Sequence, residues 1–237
     1  MESKTVSAPY KNRVLASLPA AEIKRLAPHL SPVALMVNRT LHDAGQTIDS
    51  VYFLEDGVCS IVATMASGNT VEVGIIGREG FVGLPAVLGT QASPNRAFMQ
   101  IPGHGYSIKA KILQEQSEAS KELRLLLQRV VQGMLVQTAQ TAACNRVHEL
   151  EERLARWLLM CQDRVQSDQI GITHEFLAMM LGTRRTSVTV AAGTLSKAGI
   201  ISYSRGLVTI QNRKQLENAA CECYRVVHEE DLRLGLF

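Results

Sequence analysis

The chain has 237 residues, 46% apolar and 20% charged, with a formal net charge of +3. That is globular, long enough for one large or two small domains, and free of internal repeats. It excludes a membrane span, since no run of 18 uninterrupted apolar residues exists, and the five scattered cysteines, at 59, 144, 161, 221 and 223, fit reduced thiols better than a disulfide framework.

The opening residues, MESKTVSAPYKNRV, lack the apolar run of a secretory leader, so a cytoplasmic location is expected. Residues 19–30 read as a short amphipathic helix that starts near Pro19 and ends by Pro28. From 33 to 112 the pattern changes. Short apolar runs at 51–54, 58–63, 71–76 and 97–101 are separated by turn signals at 43–45, 55–57, 67–69 and 102–105. Short strands at this spacing predict a small antiparallel barrel or roll.

Residues 115–146 contain no proline, and Gly133 is their only glycine. Leu123, Leu127, Val130, Met134 and Thr138 recur at spacings of four and three, close to a coiled-coil seam. One helix of that length spans roughly 45 Å at 1.5 Å per residue. It has little neighbouring chain to cover its stripe, so the reading is a dimerisation helix paired with its copy. The alternative is a helix lying on its own barrel. Residues 147–165 form a further amphipathic helix, with Leu150, Leu154, Trp157, Leu158 and Cys161 facing a core, and 164–170 read as a polar loop.

The stretch 172–201 reads as helix, tight turn, helix. Thr173 caps the first helix, Glu175 lies in its first turn, and Phe176, Leu177, Met180 and Leu181 form its buried stripe. Gly182 supplies a left-handed stop. Thr183 is read as the cap of the second helix and Arg184, Arg185 and Thr186 as its first turn. Val188, Ala191, Ala192 and Leu195 point inward, leaving Thr186, Thr189 and Lys197 free. No Asp or Glu occurs from 176 to 216, where Arg184, Arg185, Lys197, Arg205, Arg213 and Lys214 make a basic surface suited to phosphates. Residues 199–210 read as strand, Arg205-Gly206 turn, strand, which is a wing. Together these form the helix-turn-helix DNA-binding pattern; an ordinary helical hairpin with solvated arginines is the bland alternative. Residues 212–227 read as a terminal helix.

Three stretches carry a family resemblance: Gly45-x6-Tyr52-x4-Gly57, Gly77-Arg-Glu-Gly80-Phe-Val-Gly83, and Leu177-Ala-x-Met-Leu-Gly182-Thr-x-Arg185-x-Ser-Val188. With the order of roll, pairing helix and winged helix-turn-helix, the chain resembles the Crp/Fnr family of bacterial transcription regulators over nearly its whole length. The resemblance implies an α+β fold with a cyclic-nucleotide-binding-like β-roll at 1–114, a dimerisation helix at 115–146 and a DNA-binding domain at 147–237. It implies a homodimer on two-fold symmetric double-stranded DNA, with RNA polymerase as a further partner, and no enzyme activity. Arg185 falls where the family places an arginine on guanine, whose O6 and N7 a guanidinium can bond together. Arg184, Ser187 and Thr189 are its neighbours. Val190 departs from the cyclic-AMP receptor, which has a second base-reading arginine there.

In cyclic-AMP-binding members a Glu follows the cassette glycine, and an Arg is followed by Ser or Thr. Here Leu84 follows Gly83 and Ala97 follows Arg96. The ribose acceptor and one phosphate donor are missing, so the pocket is read as degenerate and DNA binding as independent of cyclic AMP. A scaffold or a pocket for a less polar effector both remain open. No cysteine precedes Cys59, so the N-terminal iron–sulfur centre of oxygen-sensing members is not expected. Cys221-x-Cys223 with His228 is not read as a metal site, because helical residues two apart point roughly 200° from each other. Cys59, Cys144 and Cys161 read as packing residues. No cofactor and no metal are expected.

Overall fold

Two four-stranded antiparallel sheets make up the first half of the computed structural model, which describes residues 10–237. The opening residues 1–9, read above as lacking a leader, lie outside the described residues. Two short helices, α1 (Arg13–Ala16) and α2 (Ala20–Leu26), lead in, and α2 starts after Pro19 as its fixed φ favours. Fully buried Asn12 ties this lead-in to the roll. Its amide donates to the carbonyls of Leu54 (2.9 Å) and Gly80 (2.8 Å), and its oxygen accepts from Leu15 N to cap α1.

The roll contains β1 (Ser31–Leu35), β2 (Thr40–His42), β3 (Ser50–Leu54), β4 (Val58–Thr64), β5 (Thr70–Ile76), β6 (Phe81–Val82), the short helix α3 (Leu84–Val87), β7 (Arg96–Ile101) and β8 (Gly103–Lys109). The sheets run β1-β8-β3-β6 and β2-β7-β4-β5. The four apolar runs of the sequence are β3, β4, β5 and β7. The 102–105 segment is no turn: Gly105 sits inside β8 opposite Leu54, where a Cβ would collide with the Phe53 carbonyl. Leu35, Leu54, Cys59, Ile76, Val82, Ala97 and Met99 fill the space between the sheets.

The helix expected at 115–146 is two helices, α4 (Ala110–Ala119) and α5 (Lys121–Val147). Ser120 breaks them with extended backbone (φ −130°, ψ 114°), and its hydroxyl caps α5 by accepting from Leu123 N. Burial revises the expected seam. Leu123, Leu127 and Val130 are at most 5% exposed in the single chain, packed with Val14, Phe53, Phe81, Leu113 and Leu236. Met134 is half-buried beside Gly74, where a Cβ would approach its sulfur to 2.9 Å. Of the five residues, only Thr138 stays on the free face. That face repeats at alternating threes and fours through Leu125, Gln128, Gln132, Leu135, Ala139 and Ala142. The stripe chosen from sequence is therefore the one the roll covers. Buried Gln137, from the same helix, accepts from Ile75 N (2.8 Å) and donates to Ile75 O (3.1 Å) on β5.

The second half comprises α6 (Leu150–Val165), β9 (Gln169–Gly171), α7 (His174–Met180), α8 (Arg185–Lys197), β10 (Ile201–Ser204), β11 (Leu207–Ile210), α9 (Arg213–Ala219) and α10 (Cys223–Leu234). A capping box starts α6, with Glu149 and Glu152 each holding the other's backbone N–H. The wing is a three-stranded sheet, β10-β11-β9, because part of the segment read as a polar loop pairs with β11. The expected terminal helix is two, broken after Ala219. Leu154, Trp157, Leu158 and Cys161 are buried as expected, in a core shared with Val58, Val62, Ile75 and Phe98 of the roll. At that seam Phe98 meets Phe176 edge-on at 6.0 Å. Among the described residues no helix is long and apolar enough to cross a membrane.

Candidate nucleic-acid interface

The turn between α7 and α8 forms as its residues dictate. Thr173 caps α7 by accepting from Phe176 N at 3.2 Å, and Gly182 ends the segment at φ +59°. The cap of α8 is Arg184 rather than Thr183, and its side chain makes no cap bond. The first N–H groups of α8 have no partner inside the helix, so the helix opens with free donors at its positive end. Arg184, Arg185 and Thr186 are exposed around them and Ser187 is half-exposed. Val188, Ala191, Ala192 and Leu195 are buried, which fixes the helix by its inner face.

Residues the sequence reading passed over orient this end. His174 stacks on Tyr203 of β10 (centroids 4.0 Å apart, planes at 23°), joining α7 to the wing. Burial and the nearby Arg185 charge hold the His174 pKa down, so the neutral ring prevails. Thr189 donates to Arg185 O at 3.1 Å, which leaves its oxygen to accept from His174 Nδ1 at 3.0 Å. Thr189 is thus exposed yet engaged. The wing turn holds Arg205 at φ +49° and Gly206 at φ +80°. One cleft is lined by Thr173, His174, Glu175, Arg185, Tyr203, Arg205 and Gly206, so the structure brings Arg185 and Arg205 to the same opening. Lys197 sits at the other end of α8, about 18 Å along the axis from Arg185 at 1.5 Å per residue. Glu175 stands 4.0 Å from Arg185, an exposed pair. A wider groove, of about 1110 Å³, separates the α8 start from the β4–β5 turn of the roll.

Of the residues of the expected effector pocket, Leu84 and Ala97 share an apolar core and Arg96 lies at the surface. Gly83 adopts φ +108° at the start of α3, and Leu84 packs into the apolar cores of the roll. Ala97 is fully buried. Arg96 turns along the surface, donating to Thr40 Oγ1 at 2.7 Å, with Asp43 at 3.5 Å and the Phe98 ring beneath it. Glu79, in the 77–83 motif, accepts from Gly77 N and from Arg164 of α6 at 2.8 Å, so this loop holds the second domain.

The cysteines depart furthest from expectation. All five are free and buried, and Cys59 and Cys161 do pack in apolar cores. Cys221, however, precedes α10 rather than sharing a helix with Cys223, so the 200° argument does not apply. Cys221 and Cys223 gather with Cys144 and His148, not with His228, which stacks on Tyr224. A hydrogen bond from Cys221 holds the Cys144 thiol down, to about 5, and this neighbour in turn pushes the His148 pKa up.

A basic helix start flanked by a wing defines a helix-turn-helix DNA-binding protein. Comparison with known proteins agrees. Residues 152–219 match the family model of the Crp-like helix-turn-helix domain, and residues 33–119 that of the cyclic nucleotide-binding domain. A Crp/Fnr-family transcriptional regulator from Eubacterium rectale superposes with a TM-score of 0.68 at 16% identity, covering 88% of this chain and 98% of its own. The c-di-GMP-responsive global regulator CLP of Xanthomonas campestris gives 0.65 at 17%, covering 81% and 99%. A global nitrogen regulator from Synechocystis is 23% identical over 81% of this chain and 91% of its own length. The chain belongs to the Crp/Fnr family of transcription regulators, and it is a DNA-binding regulator of that type rather than a member of an enzyme family.

Proposed function

We propose that the protein works as a homodimer on a two-fold symmetric operator, reading each half-site with the N-terminal turn of α8 and without cyclic AMP. The observation that carries this is the uncapped start of α8, where Arg184, Arg185, Thr186 and Ser187 surround free N–H donors and Arg205 of the wing shares the opening. Arg185 is the guanine reader; Arg184, Ser187 and the backbone donors hold phosphates, with Arg205 on the flanking backbone. Thr189 supports His174, and Lys197 is too far along the helix to join the same base contacts. As a transcription regulator the dimer meets RNA polymerase in the cytoplasm.

The subunit seam runs along Leu125, Leu135, Thr138 and Ala142. What supports it is the exposure of large apolar side chains there, 43% for Leu125 and 62% for Leu135. Independence from cyclic AMP is supported by buried Ala97, by Leu84 in the roll's cores and by the outward turn of Arg96.

Selection of bound fragments from the source genome, without added nucleotide, supplies the operator. Arg185→Ala is expected to lower specific affinity by about 1–3 kcal/mol and to relax one base position per half-site. Unchanged affinity and discrimination would remove Arg185 from this role. Leu125→Glu with Leu135→Glu is expected to sediment as a monomer; a variant that stays dimeric places the seam elsewhere. Calorimetry with cyclic AMP and cyclic GMP is expected to show no micromolar binding, and such binding with a matching gain in operator affinity contradicts the effector reading.

A further inference from the structure

The far end of α5 and the turn before α10 gather four soft donors away from the DNA face. Cys144 lies in the last turn of α5, and His148 caps that helix. Cys221 lies between α9 and α10, and Cys223 opens α10. One ligand atom from each falls within 4.8 Å of all the others. The Cys144 and Cys221 sulfurs are 3.5 Å apart, and Cys223 Sγ is 3.5 Å from His148 Nδ1.

These two spacings are close to edges of one coordination tetrahedron, and the other pairs lie within reach of it. Zinc bonds of about 2.3 Å to sulfur and about 2.0 Å to nitrogen give edges of about 3.8 Å between sulfurs and about 3.5 Å from sulfur to nitrogen. An iron–sulfur cluster sets several atoms between its thiolates and needs wider separations. A disulfide joins two sulfurs and leaves the third thiol and the imidazole unused. The surroundings also fit a metal. Glu222 Oε2 lies 3.2 Å from His148 Nε2, so the carboxylate, the usual outer partner of a ligating histidine, accepts from Nε2–H and leaves Nδ1 as the ring atom that faces the thiols. Gln140 Nε2 donates to Cys223 Sγ at 3.1 Å. Arg153 and Arg156 of α6 lie near enough to the thiols for charge to act between them, and each guanidinium keeps a buried Nε without a partner. Three thiolates around a divalent ion leave one net negative charge, which those guanidiniums offset.

We propose that Cys144, His148, Cys221 and Cys223 form a Cys3His site for a single zinc ion that pins α10 across the joint between α5 and α6. As three sulfur–metal bonds and one nitrogen–metal bond form, any protons still on the thiols and on His148 Nδ1 pass to solvent, which leaves the bound imidazole neutral. The joint lies between the long helix and the DNA-binding half, so occupancy sets how firmly the two are coupled. No ligand belongs to the DNA face, and the reading stands apart from operator choice.

The test uses the full chain purified under reducing conditions. Elemental analysis is expected to find one zinc per chain. After chelation, cobalt(II) titration is expected to saturate at one equivalent, with the visible bands of tetrahedral cobalt and thiolate charge transfer, and zinc is expected to displace it. Cys144→Ser and Cys223→Ser should lose stoichiometric binding, whereas Cys59→Ser and Cys161→Ser keep it. Glu222→Gln leaves all four ligands in place and should weaken the metal about 10–100-fold, which keeps the site testable if a cysteine variant fails to fold. Folded, reduced protein that shows substoichiometric zinc and no thiolate–cobalt bands overturns the proposal. So does an iron–sulfur chromophore in anaerobically purified protein, or bands that survive Cys223→Ser.

Discussion

Where β5 packs on α6, the polar side chains around Glu72 are closed on one another, while at the start of α8 they are left open. Glu72 of β5 is buried against α6, where Trp157 Nε1 donates to its Oε1 at 2.8 Å and Ser60 Oγ lies 2.7 Å from its Oε2. Ser60 also bonds Gln100 Oε1. A hydroxyl has one proton, so when Ser60 donates to Gln100 it accepts from a protonated Glu72, and when it donates to Glu72 it accepts from the Gln100 amide. Burial favours the protonated form, pushing the Glu72 pKa up to about 7. Every group in that chain then has a partner without any net charge. The α8 start instead keeps free N–H donors and exposed guanidiniums in solvent, Arg185 with only the exposed Glu175 carboxylate at 4.0 Å, where a phosphate would complete them. The difference separates a surface that holds two domains together from one that awaits a ligand: buried polar groups satisfied internally cost little, whereas exposed unsatisfied donors are available for binding.

Three perturbations test that contrast. The largest effect is expected from Arg164→Ala. Arg164 is 3% exposed and forms the one charged tie of the seam described here, to Glu79. Removing it leaves a buried carboxylate without its cation, at about 3–5 kcal/mol. Denaturant unfolding should show this; a loss under about 1 kcal/mol would mean that water reaches Glu79 freely.

A smaller effect is expected at Glu72. Its carboxyl is raised in the fold, so the folded chain keeps a proton that the unfolded chain releases above the usual 4.5. Stability therefore falls as pH rises from there through about 7 and is flat beyond. From pH 6 to pH 8 the loss is about 1 kcal/mol for this group, at 1.36 kcal/mol per unit. Asp231, also raised to about 7 by burial, adds a similar slope. Glu72→Gln keeps one donor and one acceptor and should remove about half of the decline, with Trp157 fluorescence as the local reporter. An unchanged slope would place a charged Glu72 in the seam.

The smallest is Glu175→Ala. Its pair with Arg185 spans 4.0 Å between side chains that are 82% and 70% exposed. Stability should change by less than about 0.5 kcal/mol, while operator affinity rises slightly as a carboxylate leaves the path of the phosphates. A stability loss above about 1 kcal/mol would show that the open surface is closed after all.

The strands and the helix-turn-helix were legible because their signals are local. Apolar runs between glycines mark β3, β4, β5 and β7, and the acid-free stretch marks α7, α8 and the wing. Ser120 was not legible, since nothing around it forbids a helix and a serine can cap a helix or sit within one. Leu123, Leu127 and Val130 repeat as a dimer seam would, and periodicity cannot tell a partner subunit from the chain's own sheet. The cysteine cluster depends on residues 77 positions apart. Cys144-x3-His148 is its one local spacing, and with His148 just past the end of α5 that spacing by itself does not single out paired ligands.

The amide of Gln137 has a consequence for how the protein fails. It occupies both the N–H and the C=O of Ile75 on β5, the outermost strand of its sheet. An outer strand with vacant donors and acceptors is a template for another polypeptide. For the length of one residue α5 therefore acts as a further strand, made of side chain rather than backbone and unable to propagate. A chain in which α5 lifts away uncovers an adhesive edge along with apolar surface, so loosening of the long helix and self-association are a single event.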